Sequence, residues 1–258
     1  APLDAADFEH MPNASTPWDL ESGTVLTQTS PITLKWDNGK GLIFRRTLTI
    51  NKDYLFTITQ SVENTTAQDV RMQPYGIVAR VGEPETIGFY ILHEGVVRAS
   101  DGEIQEIDYD DMPDQTADPS EGGNVDKIKV ENNGWIGFTD KYWMTALIPT
   151  PGTGFTSVSK YTGANDTYQT DMRLPTMTIA AGTIGEAKSS LFAGAKEWDA
   201  IKRYQDEDGV EQFIDSIDWG WFFFLTKPIF QSLHWLNAQI GNMGWSIIGL
   251  TLVIKAIL

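Results

Sequence analysis

The stretch that decides the fold is FRRTLTINKDYLFTITQSV, residues 44–62. Phe44, Leu48 and Ile50 fall on one parity. Tyr54, Phe56, Ile58 and Val62 share one face of the next run, with Thr57, Thr59 and Ser61 on the other. A period of 2 puts the apolar set on one face of a strand and the hydroxyls on the other. Asn51-Lys52-Asp53 makes a short hairpin connection between the two runs. Asn38-Gly39 reads as a second hairpin turn, since both residues tolerate the positive φ of a type I′ turn.

Working outward, further strands are predicted at 71–81, 86–92, 125–131, 135–139, 143–148, 155–161, 167–173, 176–180 and 186–192. Many short strands punctuated by Gly, Pro and Asn predict a mainly β fold, a β-sandwich spread over one large domain at 19–218. Residues 1–18 read as a flexible lead-in. Gly194 to Gln205 has helical spacing through Trp198, Ile201 and Tyr204. Phe213 and Ile217, at i and i+4, suggest another turn or two. These short helices are expected to pack on an edge or face of the sandwich.

At 258 residues the chain can bury one large core or two modest ones. The first 218 residues hold all 35 acids and 17 of the 19 basic residues. Such a surface repels nucleic acid and anionic headgroups, which excludes DNA or RNA binding and weakly favours basic partners. With no cysteine there is no disulfide, no thiol chemistry and no common zinc signature. Asp110, Asp111, Asp114, Asp118 and Glu121 cluster between Asp108 and Gly123. Clustered carboxylates suit calcium. The EF-hand spacing is absent, however, and the segment is expected to be a solvated or mobile loop without metal.

The last forty residues change character. From Trp219 onward there is no acid, and Lys227 and Lys255 are the two basic residues. Ile229, Leu233, Leu236 and Ile240 fall on one side of a helical wheel. Pro228 suits the helix's first turn and Gly241 its end. With Trp219, Trp221, Phe230 and Trp235 alongside, residues 219–243 read as an interfacial amphipathic helix region. A helix packed on the soluble core is the alternative. Residues 244–258 then form an apolar run of about 22 Å, against the roughly 30 Å of a bilayer core. That is the start of a transmembrane helix, stopping partway. Residues 1–9 have no initiator Met, basic region or apolar core, so a native N-terminus is expected to precede Ala1. Lys255, about 16 Å along the run from Gly244, is costly in lipid and is assigned to a polar cavity or partner; snorkelling is the alternative.

The runs Asp218-Trp219-Gly220-Trp221-Phe222, Lys227-Pro228-Ile229-Phe230 and Gly241-Asn242-Met243-Gly244-Trp245-Ser246-Ile247-Ile248, with Thr251 following, resemble the YidC membrane-protein insertases of Gram-negative bacteria. Trp135 to Trp143 and the Gly194-Ala195-Lys196-Glu197 helix start are also similar to that family. The resemblance implies a large twisted, galactose-mutarotase-like supersandwich in the periplasm, short C-terminal helices and a membrane-interfacial helix. It implies insertase and chaperone function in the inner membrane, alone or with the Sec translocon (SecYEG, SecDF). Nascent inner-membrane proteins would be the substrates, the bilayer a partner, and the protein monomeric. No catalysis and no cofactor are implied. Lys255 matches the basic residue of the family's hydrophilic substrate groove, with Thr251 beside it, and residues 228–240 match its interfacial helix. This stretch alone is not expected to insert anything.

Two other functions compete. A mutarotase-like sugar-binding or sugar-active domain needs a general acid and base. His93 is the one histidine placed for such a cleft, with Glu83, Glu85 or Glu103 as partners; an ordinary surface or edge histidine is the plainer reading. A single-span anchored receptor would carry an uninterrupted apolar helix, which Lys255 interrupts.

Overall fold

The computed structural model describes residues 10–84, 92–220 and 222–257. The opening hairpin becomes β3 (Leu42–Ile50) and β4 (Leu55–Asn64), an antiparallel pair in continuous register from Leu42↔Asn64 to Ile50↔Phe56. Ahead of it lie β1 (Asp19–Ser22) and β2 (Ile32–Asp37). After it come β5 (Val70–Met72), β6 (Tyr75–Val81), β7 (Gly95–Ser100), β8 (Glu103–Asp108) and β9 (Thr116–Asp118). The second half supplies β10 (Gly123–Val130), β11 (Gly134–Thr139), β12 (Trp143–Pro149), β13 (Phe155–Thr162), β14 (Thr167–Arg173), β15 (Met177–Ile179) and β16 (Ile184–Ala195). Three helices follow: α1 (Trp198–Asp206), α2 (Phe223–Ile240) and α3 (Met243–Ile257). The fold is mainly β.

The strands form a nine-stranded sheet in the order β1-β2-β3-β4-β16-β12-β11-β7-β8 and a five-stranded sheet in the order β6-β14-β13-β10-β9. All pairings are antiparallel. Val96, Ile136, Phe138 and Leu147 of the large sheet share one buried core with Val130, Phe155, Tyr168 and Met172 of the small one. The small β5–β15 ribbon covers a second cluster of Met11, Leu42, Phe44, Met72 and Ile179.

The centre of the large sheet is buried on both faces. Leu147 pairs with Leu191 on the sandwich side, so Ala146 and Phe192 point the other way. There Phe192 meets Phe213 at 5.6 Å between ring centroids and Tyr204 at 6.1 Å, both edge-on. Trp135 lies edge-on to Phe213 at 5.3 Å, and its indole donates to the Glu211 carbonyl. Edge-to-face aromatic packing adds to area burial. The cluster seats α1 and the 3-10 turn at Phe213–Ser216 on the outer face of the sheet. Tyr204 Oη also donates to the Asp53 carbonyl at 2.8 Å, tying α1 to the β3–β4 loop. Arg98, fully buried on β7, spans the sandwich to Asp126 of β10.

Several expectations are corrected. The single strand at 71–81 is two, β5 and β6, in different sheets, divided at Pro74, which has no N–H for a ladder. Asn38-Gly39 is not a two-residue turn; residues 38–41 form the loop, with Gly39 and Gly41 at positive φ and Asn38 Oδ1 accepting from Lys40 and Leu42. Tyr54 leaves the strand face. It sits at φ 67° in the loop and lays its ring over Gly194, where a Cβ would come within 2.2 Å. β16 continues through Ala195, where Gly194 and Ala195 still pair with Met144 and Trp143 of β12, and α1 begins at Trp198, not at Gly194. The lead-in is anchored from His10: its carbonyl accepts from Asn38, and Met11 enters the second cluster. β1, β2, β7 and β8 were not anticipated. The expected strand at 86–92 lies, except for Leu92, outside the described residues.

Phe213→Ala should remove the centre of the aromatic cluster and cost about 3–5 kcal/mol. Urea unfolding followed by tryptophan fluorescence checks this; a loss under 1 kcal/mol would show that α1 does not depend on it.

Candidate functional site

Chain contacts divide the protein into a β unit ending at Ser216 and a helical unit from Ile217 onward. The helical unit is built from three local devices. Gly220, at φ 66°, turns the chain, and its N–H donates to Asp218 Oδ1 at 2.7 Å. Trp219 folds back onto the start of α2: its carbonyl accepts from Thr226 Oγ1 at 2.8 Å and its ring meets Phe230 at 5.5 Å. Lys227 Nζ lies 5.9 Å from the ring centres of both Trp219 and Phe223. At the other end, Gly241 takes a left-handed φ of 72° and closes α2 on the Asn237 carbonyl. Asn242 then caps α3, its Oδ1 accepting from Trp245 N–H and its carbonyl from Ser246. That is the physical content of the Gly-Asn pair.

α2 packs on α3. Pro228 lies inside α2, because the helix starts five residues earlier than its first-turn assignment required. Ile229, Leu233 and Leu236 are half-buried, whereas Pro228, Phe230 and Ile240 are exposed. No residue of α2 is fully buried. Phe222, Phe223, Phe224 and Leu225 stand exposed, as do Trp235 and Trp245 at 64 % each, with Ile247, Ile248, Leu252 and Val253. An apolar surface of this extent marks an interaction or membrane face. Trp221 lies outside the described residues. Lys255 is exposed in the last turn of α3, and no carboxylate pairs with it among the described residues. Thr251 lies one turn back on the same face, its hydroxyl donating to the Ile247 carbonyl at 2.7 Å. Among the described residues no helix is long and apolar enough to cross a membrane.

In the β unit, His93 is held at both ring nitrogens. Nδ1 is 2.7 Å from Asp108 Oδ1 and Nε2 is 2.9 Å from the Val96 carbonyl. Among the described residues its carboxylate partner is Asp108, at the end of β8; Glu85 lies outside them. With both nitrogens engaged it fastens the entry to β7.

The acidic segment is regular structure and not the loop expected, although several of its acids are solvated as expected. It forms a 3-10 turn at Tyr109–Asp114, whose Tyr109 and Met112 enter the sandwich core, then β9. Asp110, Asp111 and Asp114 face solvent. Lys127 bridges Asp118 and Glu121 at 2.8 Å each, and Arg173 grips Glu121 through two 2.7 Å bonds. Among the described residues no group of three or more ligand-type side chains is placed to hold a metal ion. The hydrogen bond from Arg173, outweighing desolvation and reinforced by Lys127, lowers the Glu121 carboxyl to about 2. A carboxyl depressed in the folded state stabilises above its ordinary pKa, and that stability is lost as the pH falls towards 2.

A family model described as the YidC periplasmic domain matches residues 3–232. The membrane protein insertase YidC of Dinoroseobacter shibae is 60% identical over 258 residues, covering 100% of this chain and 43% of that protein. Its counterpart in Paracoccus denitrificans is 52% identical over 254 residues, covering 98% of this chain and 40% of that protein. The chain thus spans less than half the length of the curated relatives it matches. Among solved structures, a galactose mutarotase related enzyme from Lactobacillus acidophilus aligns with a TM-score of 0.47 and 12% identity, over 68% of this chain and 70% of that one. A GH36 alpha-galactosidase from Geobacillus stearothermophilus gives 0.45 and 10%, over 71% and 26%. At such scores the likeness says nothing about chemistry.

Glu121→Gln should lower stability near neutral pH by on the order of 2 kcal/mol, with the difference from the parent vanishing towards pH 2. Urea midpoints measured from pH 7 to pH 2 test it; a gap that persists at pH 2 would assign the loss to packing and not to charge.

Proposed function

From the premise that this chain belongs to the YidC periplasmic-domain family, we propose that it is the periplasmic and membrane-entry portion of an insertase. The whole protein would insert and fold inner-membrane proteins, alone or together with the Sec translocon. The observation that carries this is a 60% identity extending over the entire chain, β unit and helices alike. A chance likeness of the β fold would leave the helices unmatched.

In this reading, residues 19–218 form a periplasmic β domain after a lead-in at 1–18. Residues 219–243 lie at the membrane interface, and residues 244–258 begin a transmembrane helix. The support is physical. Exposed Trp235 and Trp245 suit the headgroup boundary, where indole is favoured, and Phe222 to Leu225 supply the apolar contact. The acids all stay in the water-soluble part. Lys255 and Thr251 would line the polar groove that receives nascent transmembrane segments, the ammonium meeting backbone carbonyls or carboxylates of the substrate. As a compact ammonium it lacks the fork of an arginine, so those contacts are monodentate. The protein would reside in the inner membrane with the bulk of this chain in the periplasm. It would act as a monomer without a cofactor and without chemistry of its own.

A photocrosslinking residue at position 255 of the full-length protein, present while a small single-span protein is synthesised, should capture the nascent chain. Lys255→Glu should cut insertion at least tenfold at normal expression. Wild-type insertion by Lys255→Glu, together with no crosslink at 255, would remove the groove role.

A further inference from the structure

Among the described residues the nine- and five-stranded sheets end in four edge strands, and three of these carry their own protection. β1, Asp-Leu-Glu-Ser, and β9, Thr-Ala-Asp, are short and acidic. β8, Glu-Ile-Gln-Glu-Ile-Asp, carries three carboxylates. Short length and charge guard an edge against stray pairing. β6, Tyr-Gly-Ile-Val-Ala-Arg-Val, has seven residues, with no acid, no lysine and no proline. Its one charge, Arg80, turns inward to Tyr109 Oη, 2.6 Å away, and to Asp140. Tyr75, Ile77 and Val81 stand exposed on the outer face, Val81 at 79 %.

The bonds at its two ends fix which backbone groups of β6 are free. The Pro74 carbonyl accepts from Leu174 N–H, and Gly82 N–H donates to the Asp166 carbonyl. In the antiparallel register this gives the even residues from 74 to 82 to β14. The N–H and C=O groups of Ile77, Ala79 and Val81 therefore point to the open side, where no described residue bonds to them. Tyr75 points the same way, but its carbonyl already accepts from Gln60 Nε2 at 3.1 Å, which closes that end. Between β6 and the large sheet lies a cavity of about 420 Å³, lined by Val78, Arg80, Trp143, Thr145 and Ala193. Ala79 lines it too, although its side chain is on the outer face, so the cavity opens at the edge itself. Trp143 stands 61 % exposed at its wall.

Three donors and three acceptors, repeated at every second residue, match the backbone of another extended chain. A second copy of this protein is disfavoured, because each copy carries a net charge of −16. Two exposed acids, Glu83 and Asp166, stand just past the Val81 end of the strand. That end suits a basic residue.

We propose that the open edge of β6 binds an extended, non-acidic peptide segment by antiparallel strand addition. Peptide residues opposite Val81, Ala79 and Ile77 bond to the main chain and keep their side chains outside. The two residues between them, opposite Arg80 and Val78, drop aromatic or aliphatic side chains into the cavity beside Trp143 and Ala193. A basic residue ahead of them meets Glu83 and Asp166. The site goes beyond the insertase reading and does not rest on it.

The test is calorimetric titration of the full chain with N-acetyl-Lys-Thr-Phe-Thr-Val-Thr-amide, the Phe set opposite Arg80 and the Val opposite Val78. N-methylation of the middle Thr, whose N–H faces β6, should weaken binding at least tenfold. N-methylation of the Phe or the Val, whose N–H groups face away, should change it less than threefold. Hydrogen exchange at Ile77, Ala79 and Val81 should be fast in the free chain and slow at least tenfold on binding. Ala79→Pro removes an outward N–H that the β14 ladder does not use, a place where an edge strand tolerates proline. It should keep its near-ultraviolet circular dichroism and lose binding at least tenfold; if it fails to fold, the methylation pattern on the parent chain decides. Exchanging the peptide's Lys for Asp should weaken binding at least threefold at low salt. Loss that is equal at every methylated position, or unchanged binding by folded Ala79→Pro, would overturn the proposal, and a peptide held by the exposed helices gives both results. So would protection of the three amides before peptide is added, a dimer in sedimentation that Ala79→Pro dissolves, or tighter binding of the Asp peptide.

Discussion

The structure depends on covering the second face of the nine-stranded sheet. An antiparallel sheet commonly leaves one face to water, but here Val97, Ala99, Trp135, Ala146, Ile148 and Phe192 are all buried. Tyr204 and Phe213 complete the covering from beyond the last strand. The β unit is therefore three layers: small sheet, large sheet, and a helical cover. Without the cover, the central strands would present a broad apolar surface to solvent. Tyr54 belongs to the same arrangement. It leaves its strand to pack over Gly194, and its hydroxyl donates to Glu197 at the start of α1.

How much of this the sequence announced follows from the same layering. β4, β10, β13 and β14 were legible from period 2 in residue type, although in β13 and β14 the hydroxyls of Ser157, Ser159 and Thr170 are buried as well. β7, Gly-Val-Val-Arg-Ala-Ser, is buried on both faces and has no alternation to read. Its buried Arg98 has its partner, Asp126, on β10, which β7 alone does not reveal. The acidic segment misled for a related reason. Its charges are local in sequence, whereas Lys127 and Arg173, which neutralise Asp118 and Glu121, arrive from other strands. At the helical end, Gly241 and Asn242 were legible because capping is a local event. Pro228 was assigned to a first turn that the aromatic run before it extends.

Charge is arranged by pairing more than by position. Most arginines on the sheets are paired with nearby acids, and surplus negative charge lies at the surface, in residues such as Asp110, Asp111 and Asp114. The helical unit carries no acid after Asp218. The two units thus differ in surface, one rich in exposed acids and the other in exposed apolar side chains.

β16 carries a consequence for how the molecule comes into being. It is the strand that joins β4 to β12, with Glu63 opposite Ile184 and Leu55 opposite Phe192. Those partners are about 120 to 140 residues apart, a separation that slows folding. A chain emerging N-terminus first at about 5–20 residues per second therefore exposes the β4 edge for roughly 6–25 s before its neighbour exists. During that interval the β1–β4 meander is a sheet with an open apolar edge, the kind that recruits stray strands. Biogenesis of this domain is limited by the arrival of one late strand, and the vulnerable species is a truncated nascent meander.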